Sequence, residues 1–161
     1  MIAAAPARAH AAGPWQSPCV PSPVDVGLTH VALVVRDVEA SIAFYERFAK
    51  MQVVHRRRDA TEVVWLSDLT RPFVIVLIEG QVDARLAGFC HLGVGCESRE
   101  EVDRLCSEAK QDDRLALGPC DSGYPVGYWA FIRDPDGHNL EISYGQEVGF
   151  TVSEAKQEEP R

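Results

Sequence analysis

The sequence predicts an α+β fold of two βαβββ modules whose curved mixed sheets pair around a shared concave face. Three observations carry that expectation. A Gly-x-x-His segment opening a short apolar run occurs twice, as Gly27-Leu-Thr-His30-Val-Ala-Leu-Val-Val and as Gly88-Phe-Cys-His91-Leu-Gly-Val-Gly-Cys. Each run is followed by helical apolar spacing, and each helix by three short strand-like runs. Recurrence of the whole pattern at matching spacing is the sign of a duplicated supersecondary unit.

In the first module, residues 27–80, the strand at His30 leads to a helix over Ser41–Lys50 with Ile42, Tyr45, Phe48 and Ala49 on one stripe. Strands are expected at Gln52–Arg56, Thr61–Ser67 and Phe73–Glu79. The second module spans 88–145. Ser98 followed by Glu101 fits a capping box, and Val102, Leu105, Cys106 and Ala109 form the buried stripe of its helix. Strands follow near Leu115–Leu117, at Gly127–Arg133 and at Asn139–Ser143, the last two joined by the turn Asp134-Pro-Asp-Gly137. Residues 1–26 hold five of the ten prolines and no apolar periodicity, which suits a flexible arm without the apolar core of a secretory signal. Residues 146–161 read as an acidic tail.

Composition excludes several functions. Acidic residues outnumber basic ones 24 to 16, a net charge of −8, so no cationic field exists to hold a nucleic-acid backbone. No apolar run approaches the ~20 residues that cross a bilayer. Five cysteines, odd in number and outside CxxC pairs, argue against a disulfide framework or a zinc knuckle and suit a cytoplasmic protein. No glycine-rich phosphate loop or dinucleotide fingerprint is present.

The chemistry-bearing residues follow from strand alternation. His30 shares a face with Ala32 and Val34, His91 with Gly93 and Gly95, and the small neighbours leave room above each imidazole. Glu141 stands on the last strand with Asn139 and Ser143, while Leu140 and Ile142 turn into packing. If the halves pair symmetrically, two imidazoles and one carboxylate converge, a set that holds a divalent ion on one face and leaves coordination positions open. Taken singly, a strand His is more often structural and a strand Glu solvated.

Trp129, Phe131 and Arg133 alternate onto one face and, with Tyr128, Val76 and Asn139, are candidate walls of a substrate pocket. Trp65 and Phe73 read better as core packing. His138 reads as a hydrogen-bonded turn residue, Glu79 as a solvated strand end, and His55 with Arg56-Arg57-Arg58 as a charged strand edge.

GLTHVALVVRDVEASIAFYERF, GFCHLGVGC and the ending FIRDPDGHNLEIS resemble the vicinal-oxygen-chelate superfamily over about residues 27–145. That superfamily includes glyoxalase I, extradiol dioxygenases, fosfomycin-resistance transferases, methylmalonyl-CoA epimerase and bleomycin-binding proteins. The resemblance implies His30, His91 and Glu141 as metal ligands. Val76 falls where glyoxalase-like members carry a fourth ligand, leaving three, as in the dioxygenase and fosfomycin branches. Val76 and Phe131 also replace the His and Tyr that extradiol enzymes usually place around the substrate, and Ala32 and Phe131 replace fosfomycin-branch Thr and Tyr.

The reading that follows is a metal-centred cup with one divalent ion per site, Fe2+ or Mn2+ favoured and Zn2+ or Ni2+ as rivals. It leans to a ring-cleaving dioxygenase acting with O2 on a small chelating, aromatic substrate. The alternatives are a lyase, isomerase or thiol transferase, or a non-catalytic drug- or metabolite-binding protein. The resemblance also implies a homodimer, since superfamily members commonly dimerise and some build each site from one chain's first module and another's second; here His30 belongs to the first module and His91 and Glu141 to the second.

Overall fold

The structure, a computed structural model, describes residues 27–149 and 151–153; the expected arm and most of the tail lie outside them. The first module runs β1 (His30–Val35), α1 (Val38–Ala49), β2 (Gln52–Arg58), β3 (Glu62–Ser67) and β4 (Val74–Glu79). The second runs β5 (Leu92–Gly95), α2 (Arg99–Gln111), β6 (Leu115–Asp121), β7 (Tyr128–Arg133) and β8 (Asn139–Tyr144). The two βαβββ units are thus as expected.

Each forms a four-stranded mixed sheet, ordered β1-β4-β3-β2 and β5-β8-β7-β6. The parallel pairs are β1 with β4 and β5 with β8, and the other neighbours run antiparallel.

Most boundaries agree with expectation within two residues; the start of α1 and the end of β6 differ by more, each for a local reason. Helix α1 begins at Val38, ahead of Ser41, because the Asp37 carboxylate accepts the Ala40 N–H and caps it. Strand β6 continues to Asp121, past the expected end at Leu117, by passing through an irregular register between Leu117 and Cys120. In α2 the Ser98 hydroxyl accepts the Glu101 N–H as read, while the Glu101 carboxylate reaches one residue past the cap and accepts the Glu97 N–H instead of that of Ser98.

The helices cover one face of each sheet. Leu33, Val35, Val64, Leu66, Ile75 and Leu77 pack with Ile42, Tyr45 and Phe48 of α1, and they join Ile132, Leu140, Ile142, Val102 and Leu105 in one cluster. Both modules therefore share a core on their helix side. Ion pairs from Arg47 to Glu108 and Asp112, and from Lys50 to Glu97 and Glu101, tie α1 to the second module across the surface.

The turn at Asp134–Gly137 is a second, buried tie. Asp134 Oδ1 accepts the backbone N–H groups of Asp136 and His138, and Oδ2 accepts the Tyr45 hydroxyl of α1. Asp136 takes Arg36 through its N–H and its guanidinium. His138 is buried, accepts the Leu86 N–H at Nδ1 and reaches the Val34 carbonyl, which bears out its reading as a hydrogen-bonded turn residue.

Among the described residues no helix is long and apolar enough to cross a membrane.

Candidate metal centre

Glu141 is buried at 5% exposure on β8, opposite Gly93 of β5 and Phe131 of β7. A side chain at Gly93 would begin about 4.0 Å from Glu141 Oε1, so the glycine keeps the space beside the carboxylate clear. Gln146, on the loop after β8, donates from Nε2 to Oε1 at 3.1 Å, and Ser143 steadies the Gln146 amide. His91 stands just before β5 with Nε2 3.5 Å from Glu141 Oε2. Its Nδ1–H donates to the Phe89 carbonyl at 2.7 Å, which fixes the tautomer.

In the neutral ring the Nε2 lone pair therefore faces a carboxylate lone pair, with no donor between them. Two acceptors at 3.5 Å repel unless a cation or a proton joins them. A nitrogen and a carboxylate oxygen, each held from behind by a second hydrogen bond, form a donor set that fits a divalent cation. Aromatic rings close one side: Phe131 lies 4.9 Å from His91, Trp129 4.9 Å from Phe131, and Phe89 6.0 Å from Phe131.

His30 stands elsewhere. It lines a groove of about 790 Å3 with Ala32, Val54, Trp65, Val76 and Ile78. Its Nδ1 pairs with the Thr29 hydroxyl at 3.0 Å, leaving Nε2 without a partner among the described residues. The cavity beside His91 is lined from the first module by Val31, Phe73 and Ile75. Val31 and Ile75 alternate with His30 and Val76, so they belong to the opposite face of that sheet. The first sheet thus stands between His30 and the His91–Glu141 pair. Among the described residues, no three His, Cys, Asp or Glu side chains of one chain form a metal-holding group.

The pocket residues divide. Trp129 and Phe131 stay beside His91, whereas Val76 lines the His30 groove. Asn139 is buried and donates to the Gly88 carbonyl, holding the segment that carries His91. Two expectations are corrected. Tyr128 faces α2, donating to Asp103 under the Arg99 guanidinium, because alternation turns it away from Trp129. Arg133, at the far end of β7, lines a separate cavity by the Asp134–Gly137 turn.

Trp65 is 42% exposed in the groove, not core as expected, with His55 packed edge-on at 5.1 Å. Gln146 escaped the sequence reading because it lies in a loop with no motif; its only signal was its place five residues after Glu141.

The chain belongs to the glyoxalase/bleomycin resistance protein/dioxygenase superfamily, whose model matches residues 27–142. An uncharacterised Pseudomonas aeruginosa protein is 41% identical over 127 residues, which span 76% of this chain and 91% of that one. The fold resembles glyoxalase I of Leishmania major with a TM-score of 0.60 and 22% identity, covering 84% of this chain and 97% of that one. It also resembles a variant of the fosfomycin resistance protein FosX of Listeria monocytogenes, described in complex with Mn(II) and a dihydroxypropylphosphonic acid. There the TM-score is 0.60 and the identity 19%, covering 80% of this chain and 99% of that one. At those identities the two structures speak for the fold alone. Members of the superfamily are typically metal-dependent enzymes.

Proposed function

We propose that the protein is a metal-dependent enzyme whose centre is completed by two chains. His30 of one copy would join His91 and Glu141 of the other around a divalent cation. The carrying observation is the split donor set: His91 Nε2 3.5 Å from Glu141 Oε2 on one side of the chain, and on the other the His30 imidazole, whose Nε2 has no partner among the described residues. Exposed apolar groups around both halves, among them Val54 and Trp65 in the groove and Phe89 beside His91, suit burial against a second copy.

When bound, the cation would polarise two adjacent oxygens of a small substrate as a Lewis acid. The chain's own groups do the rest. The Phe89 carbonyl holds the His91 ring, Gln146 orients Glu141, and Phe131 with Trp129 forms an apolar aromatic wall beside the His91 ring. Val76, lining the His30 groove, carries no donor atom, so the proposed centre would have three protein ligands, His30, His91 and Glu141. Three ligands favour iron or manganese and a ring-cleaving oxygenase over a four-ligand lyase or isomerase. Phe131 beside His91 supplies no proton, so any proton transfer falls to groups of the substrate or to water.

The test combines metal analysis with subunit mixing. Wild type should carry about one ion per chain, with His30→Ala and Glu141→Ala each losing it. Mixing those two inactive variants should restore activity, because one site of each mixed dimer recovers all three ligands. A monomer in solution, or mixtures that stay inactive while each variant still dimerises, would refute the shared centre. Stoichiometric zinc or nickel would turn the reading to lyase chemistry, and absence of metal after reconstitution would leave a binding protein.

A further inference from the structure

A cavity of about 490 Å3 beside the Asp134–Gly137 turn shares no lining residue with the His30 groove or the His91 cavity. Four arginines from four separate segments line it: Arg36 after β1, Arg85 in the connection to β5, Arg114 between α2 and β6, and Arg133 at the end of β7. In a chain of net charge −8 such a cluster is not a sample of a generally basic surface.

The pairing of the arginines sharpens the point. Arg47, Arg56, Arg57, Arg58, Arg71, Arg99 and Arg104 all have a carboxylate within ion-pair distance. Among the described residues only Arg85, Arg114 and Arg133 have none, and all three line this cavity.

The acids nearby are already engaged. Asp134 and Asp136 are 2% and 3% exposed, and their oxygens are taken by backbone N–H groups, Tyr45 and Arg36. Asp113 is the remaining carboxylate at the rim. The cations are also held in place. Arg114 donates to the Arg133 carbonyl and lies 5.9 Å from the Phe44 ring centre, and the Arg85 stem passes over Gly137.

We propose that this cavity is a binding site for the phosphoryl group of a small molecule, separate from the candidate metal centre. Guanidinium forks match carboxylate and phosphate oxygens alike. Guanidinium groups supplied by four separate segments favour a tetrahedral group with three free oxygens over a planar carboxylate with two.

The test is an NMR titration of the intact protein with inorganic phosphate, read at the Ala87 and Gly137 amides, with acetate as the planar comparison. Saturable shifts at these amides are expected, weakening as salt rises. Arg85→Gln/Arg133→Gln should raise the Kd at least tenfold, whereas Asp113→Asn should lower it by removing the opposing charge. Unchanged phosphate affinity in the double variant, equal binding of acetate, or shifts confined to Leu92 and Gly93 beside His91 would each overturn the proposal. Because the readout is binding at named amides, its failure is distinguishable from failure of the metal reading, which metal content decides.

Discussion

Replacing Tyr45 with Phe isolates the bond that joins the two modules through the Asp-Pro-Asp-Gly turn. Tyr45 is 1% exposed and its hydroxyl donates to Asp134 Oδ2 at 3.1 Å. The substitution leaves the ring in place and strands that oxygen in the core, while Oδ1 keeps its two backbone donors. A hydrogen bond to a charged group contributes about 1.5–3 kcal/mol. For a chain of this size the loss corresponds to a fall in Tm of roughly 3–12 °C, read by thermal or urea unfolding.

A pH arm checks the cause. Burial first, then the Asp134 charge and hydrogen bond, hold the Tyr45 hydroxyl well above its ordinary value of 10.0. Its folded pKa is raised, so its stabilisation is fully present below pH 10 and is lost as pH rises from there toward the raised value. The gap between wild type and Tyr45→Phe should therefore narrow above pH 10. A Tm change below about 1 °C at neutral pH, or a gap that widens in alkali, would refute the buried-tie argument.

Two further outcomes test other parts of the fold. Gly127→Ala should cost about 1–3 kcal/mol from its backbone angle alone, with φ at +81°, and more from the clash, since the new Cβ would sit 2.3 Å from the Tyr144 carbonyl oxygen. A urea midpoint equal to wild type would contradict it. Exposed Cys90 should alkylate within a short pulse at pH 8, whereas Cys96 and Cys106, pushed up to about 11 chiefly by burial, should resist until the protein unfolds. Mass spectrometry of the digested protein reads all three, and early labelling of Cys106 would show its burial to be wrong.

Local pattern made much of this protein legible. The repeated Gly-x-x-His opening, the two helical stripes and the turn residues sufficed for two βαβββ units, because alternation and helical period depend on neighbours in the chain. Glu141 could be set on a strand face opposite Leu140 and Ile142 for the same reason. What alternation could not say was which object each face meets. Trp65 looked like core, yet it stands on the open side of its sheet, in the groove that holds His30. Arg133 shares its alternation with Phe131 but lies two residues further along β7, far enough to face a different cavity.

The sequence by itself determined the duplicated modules, their helices and strands, and the strand faces on which His30 and Glu141 lie, since each is set by residues within one element. Only the tertiary structure decided how the modules pack. Their helix sides meet in one core and are tied by Tyr45, Asp134 and Arg36, contacts spanning 89 to 100 residues of chain. That packing parts His30 from the His91–Glu141 pair and gathers into one cavity the arginines that have no carboxylate partner among the described residues. Both outcomes depend on long-range side-chain contacts, which no short-range spacing records.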